Sequence, residues 1–87
     1  MFLHLGQNTV IHQDDIIGIF DLESTTISKH TRKFLSKAEK NGDVITVSYE
    51  LPKSFAVCGE VGKKTKVYIS QLSSSTLLKR SGFIDSL

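Results

Sequence analysis

One stretch of this chain repeats its apolar residues at a helical period over about three turns: Ile27, Thr31, Phe34, Leu35 and Ala38. Everywhere else the apolar runs are short, alternating or β-branched, and glycine, proline or polar residues cut them. Such a chain must build its core from strands and lay one substantial helix against them. Ser24-Thr25-Thr26-Ile27-Ser28 offers several N-cap hydroxyls for that helix, and Asn41-Gly42 ends it after Lys40. Lys29, Lys33, Ser36, Lys37 and Lys40 fall away from the apolar stripe, so the outer face of the helix is basic.

Phe2-Leu3-His4-Leu5 reads as a short strand ending at Gly6, and Asn8 to His12 as a second, through the β-branched run Thr9-Val10-Ile11. Gln13-Asp14-Asp15 is a polar turn. Ile16-Ile17-Gly18-Ile19-Phe20 is nearly all apolar, which predicts a central strand covered on both faces, with a group packed closely over Gly18. From Asp43 to Tyr49, Val44, Thr46 and Ser48 alternate with Ile45, Val47 and Tyr49, the pattern of a half-buried strand. Pro52 marks a connection. Ser54–Cys58 and Thr65–Ser70 then form a hairpin around the turn Gly62-Lys63-Lys64. Ser74 or Ser75 caps a short last helix through Arg80, closed by Gly82. Lys79 and Arg80 there sit at its negative end, where cations are favoured. The predicted fold is a single small α+β domain over residues 1–87. It is antiparallel and β-rich, with about six strands, one amphipathic helix in the middle and a short C-terminal helix.

A chain of 87 residues buries only roughly 60–65% of the surface its unfolded form exposes. The core is therefore thin, and association between copies is a natural way to bury more. The lone cysteine, Cys58, excludes an internal disulfide and with it a disulfide-stapled secreted scaffold. No apolar run approaches the ~18 residues of a membrane span. The segment Met1–Gly6 lacks the basic start of a signal peptide, so the expected location is the cytoplasm.

No catalytic constellation emerges. His4, His12 and His30 lie far apart in sequence; His4 and His12 on neighbouring strands would bring two imidazoles together without a third ligand, so no metal is expected. Cys58 lies in an apolar strand and reads as a small buried hydrophobe rather than a nucleophile. Gly59-Glu60-Val61-Gly62-Lys63-Lys64 lacks the first-glycine spacing and the following helix of a phosphate loop. Asp14 and Asp15 are adjacent and point apart, so they do not share a proton. With no cofactor site either, the expected mode of action is binding; only a site formed between subunits escapes this reading.

Net charge is +2, but it is segregated. Residues 1–24 carry Asp14, Asp15, Asp21 and Glu23 and no Lys or Arg. Residues 25–40 carry Lys29, Arg32, Lys33, Lys37 and Lys40 against Glu39, and residues 61–87 carry Lys63, Lys64, Lys66, Lys79 and Arg80 against Asp85. A basic surface is one footprint of nucleic-acid binding, and solvated faces look the same in sequence. No base-reading module and no aromatic platform stands out, so lysines here suit contact with the phosphate backbone. Lys29, Lys33, Lys37, Lys53, Lys63 and Lys64 are the candidate phosphate contacts.

Four segments together carry a resemblance: Leu3-His4-Leu5-Gly6, Asp15 to Asp21, Pro52-Lys53-Ser54-Phe55, and above all Tyr68 to Arg80 with its Leu72-Ser73-Ser74-Ser75-Thr76-Leu77-Leu78-Lys79-Arg80. They resemble the RemB (YaaB) branch of the RemA-like extracellular-matrix regulators of Gram-positive bacteria, over residues 2–85. The resemblance implies a small cytoplasmic regulator needed for expression of biofilm-matrix genes. In the RemA branch it implies DNA binding and assembly into rings that present basic surface to the duplex. One departure matters. That branch has an arginine-rich stretch after the tyrosine corresponding to Tyr49, where this chain reads Glu50-Leu51-Pro52-Lys53-Ser54. It also has a basic residue where Asp15 stands here. The branch's DNA-contacting arginines therefore do not carry over. The expected function is a non-enzymatic regulator of matrix-gene transcription, a homo-oligomer, possible as a ring, contacting double-stranded DNA through lysines. The alternative is an oligomeric protein-interaction module that acts with a DNA-binding paralogue and does not touch DNA itself.

Overall fold

The computed structural model describes residues 2–6, 9–22, 28–59 and 64–81. In chain order these form β1 (Phe2–Gly6), β2 (Thr9–His12), a 3-10 turn (Gln13–Asp15), β3 (Ile16–Asp21), α1 (Lys29–Lys40), β4 (Val44–Thr46), β5 (Ser54–Gly59), β6 (Thr65–Ser70) and α2 (Ser74–Ser81). β1 and β2 make an antiparallel two-stranded sheet, and the other four strands make a second sheet in the order β3-β5-β6-β4. The expected hairpin is β5–β6, with Ser54 opposite Ser70 and Gly59 opposite Thr65. β4 runs parallel to β6, the one parallel pair among the described strands.

Alternation along β5 sends its side chains into two cores. Ala56 and Cys58 pack with Leu3, Leu5 and Ile11 of the β1–β2 hairpin and with Leu77 of α2. Phe55 and Val57 pack with Val67 and with Ala38 of α1, and Leu35 leans on the same cluster. The domain therefore has three layers: α1, the four-stranded sheet, and the hairpin with α2.

The central strand is β5, buried from Ser54 to Cys58. This corrects the expectation for Ile16–Phe20. β3 is an edge strand, with Ile17 43% and Phe20 47% exposed. An apolar run reports that two faces are apolar but not who the neighbours are. Ile16 and Ile19 do pack into the hairpin-side core. α1, however, packs over β4 and β6 and leaves the helix-side face of β3 open. The reading of Gly18 holds: a Cβ there would lie 2.8 Å from the Phe20 ring, which stacks on Phe55 at 5.0 Å.

Two boundaries also differ. The strand expected from Asp43 to Tyr49 pairs regularly only over Val44–Thr46. Val47 still donates its N–H to the Ile69 carbonyl at 2.9 Å, after which the chain crosses to the start of β5, where the Lys53 N–H meets the Ser70 carbonyl at 2.9 Å. The cap of α2 is Ser73, not Ser74 or Ser75: its Oγ accepts the Thr76 N–H at 3.2 Å. Ser28, one of the expected caps of α1, accepts the Thr31 N–H at 3.1 Å. Gly42 ends that helix at φ 75°, a conformation glycine adopts without strain. Asn8, Ile27, the turn residues 60–63 and Gly82 lie outside the described residues.

Two buried serines tie the layers together. Ser70 donates its hydroxyl to the Leu5 carbonyl at 2.7 Å and accepts the Leu72 N–H at 3.0 Å. Its cross-strand partner Ser54 donates to the Leu72 carbonyl at 2.7 Å. Ser70→Ala strands two backbone groups, so we expect a loss of about 1–3 kcal/mol in urea unfolding, against almost none for Ser36→Ala, exposed on the open face of α1. Equal effects from the two substitutions would remove Ser70 from this role.

Candidate nucleic-acid interface

α1 has 12 residues and is about 18 Å long. Ala38 is buried, and Thr31 and Leu35 are half-buried, which fixes the helix to the sheet by one face. The opposite face is open. There Lys29, Arg32, Lys33, Ser36, Lys37 and Lys40 line one shallow depression of about 450 Å³. Lys29, Lys33 and Lys37 form an i, i+4 row that climbs about 6 Å per step.

Among the described residues, no salt bridge balances the charge on this face. Glu39 is the one carboxylate within the helix. Lys37 and Lys40 lie in the last turn, where the helix dipole favours them. Lys29 and Arg32 lie at the opposite, positive end, and the first turn holds no acid to offset them. Like charges at i, i+4 destabilise an isolated helix by about 0.2–0.5 kcal/mol per pair. Helix stability thus accounts for the cations at one end and argues against those at the other.

Of the six candidate lysines, the structure brings Lys29, Lys33 and Lys37 onto this one face and adds Arg32 and Lys40 to it. The sequence signal for the added pair was the same helical period, read around a wider arc. Lys53 is exposed and stands just before β5, its carbonyl accepting the Leu22 N–H at 2.8 Å. Lys64 stands at the other end of the β5–β6 hairpin, paired with Asp43 at 3.7 Å. A six-residue strand separates these two ends by about 17 Å. Lys63 lies outside the described residues. Of the candidates, three therefore share one face of α1, and Lys53 and Lys64 stand on other elements, Lys64 beside Asp43 just past the helix end.

The other chemistry-bearing residues behave as follows. His4 is exposed, opposite Val10; His12 lies 3.8 Å from Asp14 and edge-on to Phe2. Among the described residues no group of three His, Cys, Asp or Glu is placed to hold a metal, and no helix is long and apolar enough to cross a membrane. Cys58 is buried, and burial, helped by the Asp15 carboxylate, pushes its thiol up to about 11. Tyr68, beside it, is raised for the same reason, with smaller contributions from Cys58 and Asp15.

A raised thiol pKa means that the folded state holds its proton longer than the unfolded chain does. Its contribution to stability is complete below the ordinary thiol value of 9.0 and is lost as pH rises towards about 11. We expect the melting temperature to fall between these limits, and to fall less steeply in Cys58→Ala. Parallel declines in the two proteins would show that the thiol is not the titrating group.

Comparison with known proteins now places the chain. The family described as RemA-like, extracellular matrix regulatory protein A-like, matches residues 2–80. Extracellular matrix regulatory protein B of Bacillus subtilis (strain 168) is 39% identical over 84 residues, covering 97% of this chain and 94% of that relative. The residues that suggested this kinship supply two structural joints, the β3–β5 pair and the β6–α2 lead with Ser70 and Ser73. The chain belongs to the RemA-like family of extracellular matrix regulatory proteins.

Proposed function

We propose that this protein regulates extracellular-matrix gene expression as a non-enzymatic, oligomeric, cytoplasmic DNA-binding protein, and that the outward face of α1 is its phosphate-contacting surface. The observation that carries the reading is the row Lys29, Lys33 and Lys37 with Arg32 and Lys40, a cluster that local helix energetics does not explain. A polyanion relieves both the mutual repulsion and the opposed dipole. Each lysine that neutralises a phosphate releases counterions, which favours binding at low salt. The face offers lysines rather than a groove-entering element, so it suits backbone contact with modest sequence preference. Repetition of the patch over several copies multiplies weak contacts along one duplex.

The test is charge reversal. Lys29→Glu, Lys33→Glu and Lys37→Glu together should abolish retention of a promoter-length duplex while leaving the assembled mass unchanged. A second reading, a protein-interaction module serving a DNA-binding paralogue, draws on exposed Tyr49 and Leu51 in the segment where the RemA branch has arginines. Under it the charge-reversed protein would keep its regulatory effect.

A further inference from the structure

A pocket of about 250 Å³ opens where β5 and β6 approach their turn. Strand register builds it. Cys58 has Ile16 as its neighbour on β3 and Lys66 as its neighbour on β6. The 3-10 turn ends at Asp15, directly before Ile16, so its carboxylate reaches the same space from the β3 flank. Alternation along β6 turns Lys66 and Tyr68 towards Cys58, while Val67 enters the core beneath α1. Lys64 and Gly59 complete the lining. Cys58 and Tyr68 belong to the core on the hairpin side, so the pocket lies across the sheet from α1.

The Cys58 thiol is buried, and the groups around it are one carboxylate, two ammonium groups and a phenol. The Asp15 charge is felt at both Cys58 and Tyr68. Asp15 and Lys66 nevertheless do not close on each other, and among the described residues neither has an ion-pair partner. Lys64 is held loosely, 3.7 Å from Asp43, and its ammonium has three protons to donate. Opposite charges that face one space without meeting leave a gap for a ligand that carries both signs.

We propose that this pocket binds an acidic α-amino acid, with its ammonium on Asp15 and its two carboxylates on Lys66 and Lys64. The charges then match one for one, and the Tyr68 hydroxyl offers a further hydrogen bond. A plain dicarboxylate would use the lysines but meet repulsion from Asp15; a diamine would meet the reverse. The volume lies below the roughly 300–1,000 Å³ of pockets for drug-sized ligands, which favours a ligand of this small size over a nucleotide. Asp15, Lys64 and Lys66 are exposed, so the binding is weak and falls with salt. The site is separate from the outward face of α1 and does not rest on the DNA reading.

The test is an amide NMR titration of the full chain with sodium L-glutamate at low salt, beside sodium glutarate, which lacks the ammonium, at matched ionic strength. Saturable shifts with glutamate should gather at Gly59, Lys66 and Tyr68. Glutarate should bind about fivefold more weakly, the worth of one exposed charge contact. Asp15→Asn should erase the preference for glutamate, and Lys66→Gln should weaken both ligands. Both side chains are exposed, and the amide spectrum of each variant reports its folding; the comparison of the two ligands on the wild type stands without them. No saturable shifts, shifts at α1 in place of the pocket, or equal binding of glutamate and glutarate would each overturn the assignment. The last result would leave a plain anion-attracting surface.

Discussion

Lys29→Ala, Lys33→Ala and Lys37→Ala in one chain should weaken duplex binding by about 500-fold at 0.1 M salt and flatten the salt dependence. Each phosphate contact contributes about 0.9 to the slope of log affinity against log salt, so three lost contacts remove about 2.7. The three side chains are exposed on the outward face of α1, and none reaches the core. The fold should therefore survive, and removal of like-charge neighbours should leave α1 as stable as before or more so. The measurement is fluorescence anisotropy of a labelled duplex across a salt series, on wild type and variant in parallel. An unchanged slope would show that these lysines do not meet phosphates. A uniform loss of affinity with the slope intact would trace the effect to something other than charge.

Phe55→Ala should be the most damaging single change to the fold, at about 3–5 kcal/mol. Phe55 is 3% exposed near the start of β5, stacks on Phe20 and joins Val57, Val67 and Ala38 in the core beneath α1. A domain of this size has only about 4–13 kcal/mol of total stability. The loss corresponds to a fall in melting temperature of roughly 12 °C or more. Phe20→Ala should cost clearly less, because that ring is already 47% exposed on the edge strand. Thermal unfolding of the two variants ranks them. A Phe20→Ala loss as large as that of Phe55→Ala would mean that β3 and not β5 lies at the centre of the sheet.

That ranking turns on what the sequence showed and what it hid. The helical period of Thr31, Phe34, Leu35 and Ala38 identified both α1 and its basic face, because the same repeat fixes the buried stripe and the exposed one. Alternation exposed the β5–β6 hairpin for a similar reason. Strand order has no such local code. Ile16–Phe20 and Ser54–Cys58 look alike in hydropathy, and which becomes central depends on where α1 comes to rest and on the parallel placement of β4 beside β6. The Tyr49 and Leu51 exposures were hidden by the same alternation that suggested a longer strand; the ladder ends at Thr46, with Val47 held by one further backbone bond. Lys53 and Lys64 looked equivalent to the α1 lysines by charge alone. Their placement on elements other than α1, and the Asp43 partner of Lys64, come from tertiary pairing.

The most direct test of the central claim is lysine footprinting: amine acetylation of the native protein with and without saturating duplex, read by mass spectrometry at each site. Protection should be concentrated at Lys29, Lys33, Lys37 and Lys40, with Lys64, already paired with Asp43, reacting equally in both states. Protection confined to Lys53, Lys64 or Lys66, or none at any lysine under conditions of bound DNA, would contradict the assignment of α1 as the phosphate-contacting face.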